Sequence, residues 1–428
     1  MPIPENKNRW MLILIFSAAL RLCFAPFTGH PYDLDIWMET GQNVAAGKSP
    51  YEPEIHLGYP PLWGFWCGLS YLFSNYLCPG NKLVYILTLK IPILVADLVI
   101  AWVLVSLKRS PDEKRDSLEG RFNGPPSPRE SLAALFLFNP LVLLIGVIWG
   151  MMDNIAALLV VLAAATLAQK RDLEAGAALG LAIALKLYPV IFLLAVLPFL
   201  SQQPRCGARI LPFLVGLGIA GFVTILAPFL AFNWDAAGFL SVLADQTSRK
   251  PGGISPMGIP GLLYGFGIHS IGAFNMQSVS QLVALRLIWI PSLCLSTILI
   301  ARYRLRASFG NLIQAFSLVF MIWIITASWV SEQNVEALLI LMLFQGAAGV
   351  LGKADKLSYV IVSAAVLGFA FFNVPATAFL YPIYEIESTP LSRLGTCALP
   401  WIAMVFALSI GVETLRTASK IRLNRRHA

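Results

Sequence analysis

Residues 31–63 read PYDLDIWMETGQNVAAGKSPYEPEIHLGYPPLW, a polar stretch set directly behind the apolar run of residues 10–27. Two carboxylates, Asp33 and Asp35, stand just past the end of that run. A turn of Gly47, Lys48, Ser49, Pro50 and Tyr51 follows, and then Tyr59, Pro60 and Pro61. Packing within a bilayer calls for none of this. The run before it is too long for the core of a cleaved leader and has no small-residue cleavage site, so it reads as a retained span. Residues 28–82 therefore read as an external loop that holds the chemistry, with the other helices building a lipid-accessible chamber around it.

The rest of the chain supports a membrane setting. Of the 428 residues, 57% are hydrophobic and only 13% charged, which leaves no soluble domain of useful size. The net charge of +8 follows from Lys and Arg gathered at alternate loops, as cytoplasmic placement of positive charge requires, and not from a nucleic-acid partner. Six cysteines lack the spacing of a metal site or a disulfide framework.

Sidedness comes from the basic loops. Lys7 and Arg9 place the start of the chain in the cytoplasm, and residues 108–130 form a cytoplasmic loop with Lys108, Arg109, Lys114, Arg115, Arg121 and Arg129. Between an external loop and a cytoplasmic one the chain crosses an odd number of times. Residues 83–107 are one crossing, so 61–77 is expected to lie in the interface or to re-enter, anchored by Tyr59, Trp63 and Trp66. Residues 131–149 and 154–168 form a hairpin with its outer tip at Gly150, Met151, Met152 and Asp153. Within 176–200, Pro189 interrupts the hydrogen-bond ladder and Lys186 is costly at mid-bilayer. Two short helices are expected there, with Lys186 near the outer face. Residues 233–275 form a further external loop, and the basic tail is cytoplasmic. The expectation is an all-α, polytopic transmembrane bundle of about 12 spans. It forms a single integral-membrane domain over 1–428 with in-plane or re-entrant helices in its first external loop.

This topology gathers Asp33, Asp35, Glu39, Asp153, Lys186, Tyr188, Arg249, Lys250, Glu332 and Gln333 on the outer face. A carboxylate there can take a proton from a hydroxyl, and Lys or Arg can hold a departing phosphate. Each residue also has a plainer reading. Asp33 and Asp35 suit a helix N-cap, as does Asp153 ahead of a helix from Asn154. Lys186 can snorkel to the interface, Arg249 and Lys250 can be solvated, and Glu332 can face water. Asp97 and Arg286 fall inside expected spans, where ionisable groups are functional candidates or structural pairs.

The ordered series resembles the GT-C superfamily of integral-membrane glycosyltransferases that use polyprenyl-phosphate sugars. It is closest to the mannosyltransferase that adds the first mannose of GPI anchors and to bacterial polyprenyl-phosphate-mannose enzymes. The matching residues are Asp33, Leu34 and Asp35, the Gly47–Tyr51 turn, Tyr59 to Pro61, Asn139 and Pro140, Gly150 through Asp153 and Asn154, and Lys186 through Pro189. The likeness is good over about residues 30–200 and weak beyond. It implies Asp33 or Asp35 as general base or as ligand of a divalent metal such as Mg or Mn. It further implies Lys186, Arg249 and Lys250 on the donor phosphate, with Tyr188 orienting it. Asp153, Glu332 and Gln333 are further site candidates. The partners implied are a polyprenyl-phosphate sugar donor, a lipid-linked glycan or glycoconjugate acceptor on the external or lumenal face, and membrane lipids. Helices around 61–77 are expected to supply the groove for the donor tail. The compact chain favours a prokaryotic plasma membrane over the ER. The alternative is a secondary transporter or lipid-handling permease. That reading needs a second broken helix to match the one at Lys186, and the sequence has no such counterpart.

Overall fold

A computed structural model describes residues 7–52, 55, 57–107, 129–248, 258–259, 287–303, 305, 307–327, 330–349, 353–373, 379–381 and 391–424. All regular elements among the described residues are helical, and an isolated bridge pairs Gly29 with Leu380.

Five helices are long and apolar enough to cross a membrane: Trp10–Phe27, Lys82–Ser106, Cys206–Ala231, Phe309–Thr326 and Trp401–Arg422. A sixth results if Arg129–Leu137 and Pro140–Trp149, bent by 44°, are one span. The described residues thus hold five or six such spans rather than twelve. The shortfall has a length component. Asp153–Ala168 has 16 residues, or about 24 Å of helix, against about 30 Å of hydrocarbon. Such helices are sheltered inside the bundle rather than exposed along their length. Glu332–Ala347 is buried at nearly every position and packs on Phe309–Thr326 and Asp153–Ala168. Cys206–Ala231 instead presents Leu211, Leu214, Ile219, Val223 and Leu230 outward.

The segment expected as the first external loop is far more helical than a loop. Pro31–Ala45 and Pro61–Leu77 are helices that pack on each other. Proline stands at the first position of each, where its missing N–H costs nothing and its fixed φ suits the helix. The N-cap of the first is His30, so Asp33 and Asp35 lie inside the helix and do not cap it.

Two interruptions shape the site end. Asn139 caps the segment after the 44° bend, its Oδ1 accepting from Leu141 N at 2.8 Å while Nδ2 donates to Tyr359 Oη at 2.9 Å. The helix continues as a π-helical stretch, Leu143–Trp149, and stops at Gly150, whose φ of 96° favours glycine. The second interruption matches the expectation. Asp172–Leu185 ends at Lys186, which is extended at φ −145° and ψ 145°, and a 3₁₀ turn, Tyr188–Phe192, leads into Leu193–Ser201. Asp172–Leu185 meets Cys206–Gly221 at backbone contact, for a Cβ on Gly176 would fall 1.9 Å from Phe213 O.

Candidate active site

Asp33 and Asp35 are two positions apart on one helix and so project about 200° apart around its axis. Asp33 turns inward. Its Oδ2 accepts from Trp149 Nε1 at 2.7 Å and lies 3.1 Å from His30 Nδ1. The His30 ring stacks on Trp149 at 5.1 Å, and Phe379 packs against both, which encloses the carboxylate on its protein side. The side chain of Asp33 is 17% exposed and that of Asp35 57%. Asp35 accepts from Lys82 Nζ at 3.3 Å and from Tyr381 Oη, which itself accepts from Lys82. Burial, then the bond to Asp35, raise the Tyr381 phenol above its ordinary value.

These separate settings bear on the expected metal. The two carboxylates do not converge, so the pair does not form a joint cation site in this arrangement. Among the described residues no cluster of three His, Cys, Asp or Glu side chains is placed to hold a metal ion.

The second group forms at the Lys186 break. Lys186 Nζ donates to Asp153 Oδ2 at 2.5 Å and to Gln333 Oε1 at 3.1 Å, and lies 5.4 Å from the centre of the Tyr59 ring. Asp153 opens its own helix, with Met152 at the N-cap, and its carboxylate meets Lys186 instead of capping. Lys186 is buried in that pair and does not snorkel to the surface, and Glu332 is buried rather than water-facing. Tyr188 packs on Phe320 and Trp323, and its buried hydroxyl has no hydrogen-bond partner. Arg249, Lys250 and Arg286 lie outside the described residues.

Tyr59 links the two groups. Its ring packs on Trp37, one turn past Asp33 on the same helix, and its hydroxyl lies 3.8 Å from Met151 Sδ. Its carbonyl accepts from Tyr51 Oη at 2.9 Å. The Gly47–Tyr51 turn is a docking knuckle. Ser49 Oγ accepts from Tyr51 N at 3.2 Å and from Asp235 N at 3.1 Å, while Tyr51 packs among Phe229, Trp234 and Phe239.

A third layer lies deeper and includes residues that sequence reasoning passed over. Asp97 binds Arg21 Nε at 2.9 Å and Asn154 Nδ2 at 2.7 Å. Glu336 is fully buried, both its carboxylate oxygens lack partners among the described residues, and it faces Asp97 across Gly146. Among the described residues Lys90, also fully buried, donates to the carbonyls of Thr28, Val147 and Ile148 and to the Thr28 hydroxyl. Arg21, Lys90 and Glu336 were open to the criterion that picked out Asp97, an ionisable residue within an apolar run. Trp149, His30 and Tyr381 carried no such mark.

A cavity of about 420 Å³, which has as one wall the Phe379 ring that packs on His30 and Trp149, is lined by Leu20, Phe24, Thr28, Pro140, Leu143, Leu144, Ile148, Leu367, Phe379 and Leu380. It lies between the first span and the Pro140–Trp149 segment, away from residues 61–77 where a tail groove was expected.

No curated protein matches the chain. The sequence model of glycosyltransferase family 87 matches residues 73–348, a range that holds Lys90, Asp97, Asp153, Lys186 and Glu336 but not Asp33 or Asp35. The family's chemistry is glycosyl transfer, not the transport weighed against it. With its apolar spans and more than half its length matched, the chain belongs to glycosyltransferase family 87 and is a membrane glycosyltransferase.

Proposed function

We propose that the protein transfers a hexose, mannose first among candidates, from a polyprenyl-phosphate sugar to a lipid-linked glycan or glycoconjugate at the external or lumenal face. The observation that carries this reading is the apolar cavity ending at the Asp33 enclosure. Ile148 and Phe379 line the cavity; Ile148 is the neighbour of Trp149 in the chain, and Phe379 packs on the Trp149 and His30 rings that hold Asp33. An isoprenoid chain suits the cavity, and a phosphosugar head at its end lies beside a carboxylate.

Asp33 is the base in this scheme. It takes the proton of the acceptor hydroxyl as that oxygen bonds to the anomeric carbon. The bond from that carbon to the phosphate oxygen breaks, and the polyprenyl phosphate leaves with the electron pair. Asp35, turned to Lys82 and Tyr381, braces the helix. Lys186 keeps a third N–H beyond its bonds to Asp153 and Gln333, and that group, with Arg249 and Lys250, meets the departing phosphate. Tyr188 orients it. Both termini lie in the cytoplasm in this account, and the membrane is a prokaryotic plasma membrane.

The test uses purified protein in proteoliposomes with membrane-lipid acceptor. Label moves from polyprenyl-phosphate mannose into acceptor and does not move from a nucleotide-linked mannose. Transfer from the nucleotide sugar alone would sink the proposal.

A further inference from the structure

Lys90 carries a chemistry that neither the family nor the transfer scheme assigns. It projects from the middle of Lys82–Ser106 and is fully buried, with no carboxylate partner among the described residues. Its Nζ lies 2.7 Å from Thr28 O, 2.7 Å from Val147 O and 3.1 Å from Ile148 O. Three carbonyl oxygens call for three donors, which an ammonium has and a neutral amine lacks. Two of them belong to the last turn of the Pro140–Trp149 segment, where the chain stops at Gly150 and the closing carbonyls have no following helical amides. A cation there also suits the negative end of the helix dipole. Gly150 is cut to fit it, because a Cβ at that position would fall 2.7 Å from Lys90 Cε.

The two segments joined by Lys90 are those that hold Asp33. Thr28 lies two residues before His30, and Ile148 immediately precedes Trp149. We propose that Lys90 is a positioning residue: its ammonium fastens the end of the π-helical turn to the entry of the Pro31–Ala45 helix, and so sets the Trp149 indole on the Asp33 carboxylate. This rests on the reading of Asp33 as the base, and its test separates the two.

Lys90→Met removes the ammonium and keeps the bulk. The expected result is a fall in kcat of about 10- to 100-fold, the cost of an ångström-scale misplacement, with KM within about twofold. The second readout needs no activity. Protein labelled with fluorotryptophan, with the Trp149 resonance assigned through Trp149→Phe, is compared with and without Asp33→Asn. The Asp33 change shifts that resonance in the otherwise unchanged chain and leaves it in place in the Lys90→Met background. An equal shift in both backgrounds, or an unaltered kcat in Lys90→Met, overturns the proposal. Should Lys90→Met fail to fold, Trp149→Phe breaks the same link from its other side, and full kcat in that variant overturns the proposal as well. An active Asp33→Asn enzyme combined with the expected resonance pattern removes the base assignment and leaves the positioning role intact.

Discussion

The Trp149 indole donates to the Asp33 carboxylate at 2.7 Å across 116 residues of sequence, joining the Pro31–Ala45 helix to the end of a π-helical turn. That bond, and the His30 and Phe379 rings around it, distinguish Asp33 from Asp35. One is held against the protein by Trp149 and His30, and the other faces Lys82 and Tyr381 near the surface.

The buried Asp153–Lys186 pair gives the first prediction. Either single change, Asp153→Asn or Lys186→Met, strands a buried charge and lowers stability by about 3–5 kcal/mol. The double variant recovers most of that loss while transfer stays low, because the phosphate contact is gone in both Lys186 variants. Thermal unfolding of the three variants in detergent checks this. Additive losses in the double variant contradict the pairing.

Glu336 is expected to behave in the opposite sense. Its carboxylate is fully buried, has no hydrogen-bond partner among the described residues and stands near the Asp97 carboxylate, so its ionised form costs stability that a neutral amide does not. Glu336→Gln therefore raises the melting temperature, and transfer falls if the residue is retained for function rather than for the fold. A lower melting temperature in Glu336→Gln argues instead for a partner that stabilises the carboxylate.

The cavity is tested by filling it. Leu143→Trp places an indole where the donor tail is proposed to run. KM for a long-chain polyprenyl donor rises about tenfold or more, on the basis of roughly 0.8 kcal/mol per CH₂ no longer buried. KM for a truncated, short-chain donor changes little. Equal effects on both donors place the tail elsewhere.

Much of this arrangement was legible in the order of residues. Pro189 beside Lys186 marked the break, and basic loops marked the face on which Asp153 and the Ser331–Asn334 segment would meet it. Lys186 does bond both Asp153 and Gln333. The Pro31–Ala45 helix was weighed only with Asp33 and Asp35 at its N-cap, although Pro31 at its first position and Asp33 in its first turn are standard helix-start signs. Starting it too late hid the fact that residues 33 and 35 face different ways. The described residues hold five or six helices of spanning length against the twelve expected, and apolar runs in a sequence do not distinguish a helix facing lipid from a shorter one sheltered by protein. The roles of Trp149 and Lys90 were not legible. An indole and a lysine in an apolar run acquire them only when a π-helical turn and a glycine stop bring distant carbonyls together.

The measurement that bears most directly on the account is mannose transfer from polyprenyl-phosphate mannose by Asp33→Asn and Asp35→Asn enzymes, each confirmed as folded. The account predicts a loss of about 10²- to 10⁴-fold for Asp33→Asn, the size of a general-base contribution, and a much smaller loss for Asp35→Asn. Full transfer by Asp33→Asn, or a loss confined to Asp35→Asn, contradicts it.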